Sequence, residues 1–203
     1  MSQPVADAPH LFGQPAQAED RQALRASMRA RRRAIPPGRR AELDARIAAR
    51  VVAHPWFAAA DRVALYAPFD GEVATSAIAA AAREAGKSLL YARIAGQSLE
   101  FVVPEGFTRT PGGLPVPEGT TDALRSGDLL LVPGVSFDLQ GHRLGFGRGH
   151  YDRTLARCAV RTMGLAYGTQ VVPRLPAAPW DRPVAVLVTE SAVHEFKSRG
   201  TEP

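Results

Sequence analysis

From Glu19 onward the apolar positions first recur at helical spacing. Leu24, Met28 and Ile35, with Arg31 in register between them, step by four, three and four residues and mark a narrow stripe on one helix face. Arg21, Arg25, Arg29 and Arg32 line a neighbouring stripe of the same helix. Pro36-Pro37-Gly38 stops it. A second helix follows, with Leu43, Ile47 and Val51 at i, i+4 and i+8, and ends before Pro55. The pattern then changes to short apolar runs separated by helices and turns. Residues 62–66, 88–92, 99–103, 129–132, 162–166 and 184–188 read as strands. Residues 75–85 read as a helix that Thr75 or Ser76 can cap and Gly86 ends, and residues 151–160 as another. Strand–helix–strand order predicts an α/β fold with a mostly parallel sheet covered on both faces, preceded by N-terminal helices. The stretch 104–119 holds four prolines and four glycines and reads as a long surface loop. Residues 1–18, rich in Pro, Ala and Gln and without periodicity, read as a mobile tail ahead of a single domain over 19–203.

Composition narrows the function classes. At 203 residues and 45% apolar the chain can bury a sizeable core, which excludes wholesale disorder. One cysteine, Cys158, excludes a disulfide framework and a cysteine-built zinc site. No run of about 18 apolar residues indicates a membrane helix, and the first twenty residues lack a signal-peptide core. The expectation is a cytoplasmic protein, monomeric or a weak homodimer, with no membrane partner.

The net charge of +5 invites a nucleic-acid reading, but its location matters more. Residues 21–50 carry ten arginines against Glu42 and Asp44, a local +8, and the remainder of the chain is at −3. Aromatic residues are absent from that stretch, so it offers no stacking platform for single strands.

The chemistry concentrates after the run 129–132. Gly145, Gly147 and Gly149 alternate at two-residue spacing before a helix, where bare backbone amides can face an anion. Arg143, Arg148 and Arg153 add guanidinium groups suited to phosphate or carboxylate oxygens. A Walker loop is excluded because no lysine lies between Lys87 and Lys197, and G-x-G-x-G is not the dinucleotide fingerprint.

The segment Arg-Leu-Gly-Phe-Gly-Arg-Gly-His-Tyr-Asp-Arg, residues 143–153, with its prelude Val-Pro-Gly-Val-Ser-Phe-Asp-Leu-Gln-Gly at 132–141, resembles the signature of the 5-formyltetrahydrofolate cyclo-ligase family. Further likenesses follow in the same order: Leu24-Arg25, Tyr66 with Glu72-Val-Ala-Thr75, Gly164 to Gln170, and Asp181 ahead of Val186 to Glu190. The resemblance implies a three-layer αβα sandwich. It also implies ATP- and Mg²⁺-dependent conversion of 5-formyltetrahydrofolate to 5,10-methenyltetrahydrofolate: phosphoryl activation of the formyl oxygen, ring closure by N10, and release of ADP and phosphate. Carried over by position, Arg21, Arg25, Arg143, Gly145, Gly147, Arg148, Gly149, His150, Tyr151 and Arg153 would hold ATP. Tyr66, Glu72 and Tyr151 would hold the folate. Asp152 and Asp181 would hold Mg²⁺, and Arg148 and Asp152 would act in the catalytic step.

The sequence departs from the family pattern at His150, where a tyrosine is usual, at Arg21, where a lysine is common, and in the proline loop 111–118. These departures keep a second reading open, a folate- or nucleotide-binding paralogue without turnover. A basic nucleic-acid-binding module is a third. Arg31, Arg32 and Arg33 are expected on a hydrated face, and Trp56 and Trp180 as packing or rim residues.

Overall fold

The computed structural model of the chain describes residues 15–196. Residues 1–14 of the expected tail lie outside that range, and the first helix, α1 (Pro15–Arg33), starts four residues before the expected Glu19. Helix α2 (Pro37–Ala53) opens with proline at its first position, where a missing N–H costs nothing, and buries Leu43, Ile47, Ala48 and Val51. The short α3 (Pro55–Ala59) is capped by His54, whose Nδ1 accepts from the Trp56 N–H at 3.1 Å.

An eight-stranded sheet forms the centre. Five neighbouring strands run parallel: β1 (Arg62–Leu65), β2 (Ser88–Ala95), β5 (Leu129–Pro133), β8 (Arg161–Leu165) and β10 (Val186–Val188). Antiparallel partners close both edges, β11 (Val193–Glu195) on one side and the hairpin of β3 (Ser98–Arg109) and β4 (Pro115–Thr121) on the other. The spatial order is β11-β10-β8-β5-β1-β2-β3-β4. Alternate residues of the central strands face opposite cores, so the runs are apolar throughout. Val63 and Leu65 meet α2, α3 and α4 (Ser76–Glu84) on one face, whereas Ala64 joins Leu90, Leu130 and Phe137 on the other. That second face is covered by α5 (His150–Leu155) and by a small sheet of β6 (Ser136–Asp138), β7 (Arg143–Leu144) and β9 (Val171–Val172). The three-layer α/β arrangement expected from the strand–helix alternation is therefore present, with one outer layer only partly helical.

Two local expectations change. The proline- and glycine-rich stretch 104–119 is not a loop but most of the β3–β4 hairpin, paired from Val102↔Thr121 to Arg109↔Pro115. Its prolines Pro115 and Pro117 fall on the edge strand, where a missing amide donor is tolerated. Gly119, at φ +145° with the Val103 carbonyl 1.9 Å from where a Cβ would be, permits the bulge between Pro104 and Gly106. The expected helix over 151–160 is shorter, six residues of α5 ahead of Arg157, Cys158 and Ala159.

Candidate functional site

A cleft of about 1240 Å³ opens outside the carboxyl ends of β1, β2 and β5. This is where open α/β sheets commonly bind ligands. Its volume exceeds the several hundred Å³ typical of one small-molecule site, so it has room for two substrates together. Every residue that the sequence reading placed in the site, Arg153 apart, lies on its wall.

The glycine loop is built around arginines. A Cβ at Gly145 would lie 2.5 Å from Arg143 Nη1, one at Gly147 3.5 Å from the Arg25 guanidinium carbon, and one at Gly149 2.9 Å from Arg153 Nη1. Gly145 and Gly149 thus admit a guanidinium where a Cβ would crowd it, whereas a Cβ at Gly147 would meet Arg25 only in ordinary contact; Gly147 (φ +95°) and Gly149 (φ +67°) adopt a conformation that L side chains avoid. Arg25 Nε donates to the Gly145 carbonyl at 2.9 Å. Arg153 donates to the carbonyls of Gln97 and Arg148, bracing the loop against the β2–β3 turn. Arg153 therefore supports the loop rather than lining the cleft, while Arg148 is exposed on its wall. Burial and the neighbouring Arg153 and Arg148 lower the His150 pKa, outweighing its Gly96 backbone hydrogen bond.

The two aspartates differ. Asp152 Oδ1 accepts from Arg143 Nη2 at 3.0 Å and from the Arg182 N–H at 3.3 Å. Its Oδ2 has no hydrogen-bond partner among the described residues, and the side chain keeps 15% exposure. Asp181 is already committed. Arg21 grips both of its oxygens, at 2.7 and 3.2 Å, and the Ala178 N–H reaches Oδ2 at 2.8 Å. Among the described residues no group of three or more His, Cys, Asp or Glu side chains forms a metal cluster. An all-protein metal cage is absent there. A carboxylate with one open oxygen still fits Mg²⁺, which takes one or two carboxylates and completes its shell with phosphates and water.

The rest of the cleft is apolar and carries an unusual carboxyl. Glu72 is 9% exposed and accepts the Phe69 N–H at 3.1 Å through Oε2. Burial pushes its pKa up to about 7, against the lowering influence of that hydrogen bond and of Arg32 and Arg143. Tyr66 is buried with its hydroxyl donating to the Val73 carbonyl at 2.8 Å. Tyr151 lies under the Arg143 guanidinium at 5.3 Å, and burial next to Glu72 raises its phenol pKa. Arg143 is itself buried, and its Nε has no partner among the described residues.

Three features escaped the sequence reading. Asp70 holds φ +54°, rare for a non-glycine residue, and pairs with Arg29 at 2.7 Å, Arg32 at 3.2 Å and Arg33. Burial opposes ionisation of this carboxyl, yet the arginines win and its pKa is lowered. Arg32, expected on a hydrated face, is fully buried and donates to the carbonyls of Asp70 and Gly134, each at 3.1 Å. Phe146 at the tip of the glycine loop lies beneath Arg29 and Arg32, at 5.3 and 5.9 Å. The Asp70-Gly71 turn signal was legible, but its partners 37 to 41 residues earlier in the chain were not.

The geometry has close relatives. The model of the 5-formyltetrahydrofolate cyclo-ligase family matches residues 17–190. The chain is 33% identical over 181 residues to the 5-formyltetrahydrofolate cyclo-ligase of Escherichia coli K12, covering 83% of this chain and all of that one. It is 29% identical over 188 residues to the mouse enzyme of that name, covering 83% and 93%. The solution structure of the 5,10-methenyltetrahydrofolate synthetase of Aquifex aeolicus superposes with a TM-score of 0.76 at 33% identity, over 90% of this chain and 96% of that one.

Proposed function

We propose, starting from the fact that this chain belongs to the 5-formyltetrahydrofolate cyclo-ligase family, that it is an ATP- and Mg²⁺-dependent ligase. In this reading it converts 5-formyltetrahydrofolate to 5,10-methenyltetrahydrofolate, with ATP leaving as ADP and phosphate. The observation that carries the proposal is the sharing of one cleft by an arginine-lined glycine loop and an apolar wall bearing Glu72. The first suits a polyphosphate and the second a flat, partly polar ring.

Phosphoryl transfer asks the protein for alignment and for charge placed against the moving oxygens, and little covalent chemistry. Arg25 and Arg148 face the cleft with the amides of the glycine loop, and Arg153 holds that loop from behind. Asp152 Oδ2 is the carboxylate oxygen that would hold Mg²⁺, which would supply positive charge against the phosphates. Asp181 is assigned a positioning role, holding Arg21 toward the cleft, in place of direct metal contact. Glu72 can present a carboxyl or a carboxylate to the pterin ring near neutral pH. Tyr66 and Tyr151 form the wall on which that ring would rest.

The test is incubation of the protein with 5-formyltetrahydrofolate, ATP and Mg²⁺, reading methenyl product and ADP together. Equimolar product and ADP are expected. Absence of product from a folded sample across pH and metal would overturn the reading in favour of a binding paralogue. Asp152→Asn should abolish turnover, whereas Asp181→Asn should chiefly raise the KM for ATP by freeing Arg21. Loss of Mg²⁺ activation on Asp181→Asn would return that carboxylate to the metal.

A further inference from the structure

Trp180 is 61% exposed, more than any other large apolar side chain that the described residues leave at the surface, and it lies on the wall of the cleft. No aromatic ring or guanidinium stacks on it among the described residues. An indole left in water at a ligand site forgoes a large share of burial that packing elsewhere would supply.

The chain holds this residue firmly. The Asp181 N–H donates to the Ala178 carbonyl at 3.0 Å, and the Ala178 N–H donates back to Asp181 Oδ2 at 2.8 Å, closing a tight turn with Trp180 inside it. Arg21 then clamps the turn to α1, donating to the Pro176 carbonyl at 2.7 Å and to both Asp181 oxygens. Arg182 ties its far side to Asp152. The turn that carries the indole is therefore fixed, and Trp180 lies on the same cleft wall as Arg21, Arg25, Arg148 and Asp152, with Ala177, Ala178 and Pro179 as its small or ring-bearing chain neighbours. Of the two planar groups proposed for this cleft, the base is the one attached to the phosphates, whose arginines Arg21 and Arg25 reach this turn and the glycine loop, whereas the pterin is assigned to Glu72, Tyr66 and Tyr151.

Resting on the ATP-dependent reading above, we propose that Trp180 is the platform on which the purine base of the nucleotide stacks. It is a specificity-determining residue for ATP and has no part in the chemical step. Phosphates are held by the arginine loop, and the indole reads that a large π-system is attached to them. Stacking of one base on an aromatic side chain is worth on the order of tenfold or more in affinity.

The test uses the full chain carrying Trp56→Phe, which leaves Trp180 as its one indole, because the protein has two tryptophans. Trp56 packs against the helical core and His54, away from the cleft. ATP added without folate should quench the remaining fluorescence saturably, and inorganic tripolyphosphate should bind with little quenching. In the wild-type background, Trp180→Ala should weaken ATP by about tenfold or more, leave tripolyphosphate affinity unchanged, and narrow the preference for ATP over UTP. Trp180→Phe should restore most of the loss. Unchanged ATP affinity in a folded Trp180→Ala protein would overturn the assignment while leaving the ligase reading intact. So would a loss confined to 5-formyltetrahydrofolate. Failure of the wild type to bind either ATP or tripolyphosphate would overturn both.

Discussion

Replacing Glu72 by glutamine isolates the cost of keeping a carboxylate in the wall of the cleft. The side chain is buried, and its pKa rises from 4.5 to about 7, led by that burial. The groups facing it are Arg32 and Arg143, which favour ionisation, and Asp70, which opposes it. A folded pKa above the unfolded one means that the native state binds more protons between pH 4.5 and 7. Stability then falls as pH rises through that window. The shift corresponds to about 3 kcal/mol, fully retained below the unfolded pKa and fully lost above the folded one. Glutamine has nearly the same shape, still accepts the Phe69 N–H, and carries no charge at any pH. Urea unfolding of both proteins should therefore give equal stabilities near pH 4.5, with the variant ahead by up to about 3 kcal/mol at pH 8.5. Urea is uncharged, so it does not screen the interaction being measured, and titrations common to both proteins cancel in the difference. A difference that does not vary with pH, or a variant that falls further behind as pH rises, would refute this account of Glu72.

Arg62 tests a pair unconnected with the cleft. It donates to Asp128 at 2.6 and 2.8 Å and to Asp122 at 2.7 Å, and Asp128 is 2% exposed. Arg62→Ala should cost about 3–5 kcal/mol, because it strands a buried charge. The urea midpoint will drop at unchanged slope, and Arg62→Met with Asp128→Leu should recover part of the loss. Gly147→Ala forces a methyl group onto a backbone at φ +95° and against the Arg25 guanidinium. About 1–2 kcal/mol of destabilisation is expected. The KM for ATP should rise while that for the folate holds; an equal rise in both would mean the glycine serves the whole cleft.

Legibility of the sequence tracked the range of the interactions. Period and punctuation set out the parallel strands, because a strand buried on both faces needs an apolar run whatever its neighbours. Prolines and glycines at 104–119 misled for a physical reason. Those residue types mark loops, but they equally mark an edge strand with a bulge, and only the pairing partner tells the two apart. The glycine triplet was legible as a candidate site. Its spacing suggested amides bared to a ligand, and to that the structure adds an arginine packed beside each glycine, which the spacing did not show. Arg32 shows the limit most sharply. Helical spacing set Arg32 on a stripe with Arg21, Arg25 and Arg29, but nothing local marked it for burial, which depends on Asp70, 38 residues away.

That burial also decides what the N-terminal charge is for. Of the ten arginines between 21 and 50, eight make hydrogen bonds or ion pairs with the described residues. Arg21 holds Asp181, Arg25 the Gly145 carbonyl, and Arg29, Arg32 and Arg33 share Asp70. Arg39 pairs with Glu42, while Arg40 and Arg50 donate to the carbonyls of Ile35 and Glu190. A surface that tracks a nucleic-acid backbone needs cations free to meet successive phosphates. Five of these, Arg21, Arg25, Arg29, Arg32 and Arg33, tie α1 to the segments that follow β1, β5, β7 and β9. The pairing is deliberately incomplete in charge. Three guanidinium groups on one aspartate leave about two positive charges beside Phe146, at the tip of the glycine loop. Arg29 and Arg33 of that group keep 36% and 57% side-chain exposure, so water shares in screening the excess charge. The nucleotide proposed above would instead meet Arg21, Arg25 and Arg148, the guanidinium groups that do lie on the cleft wall.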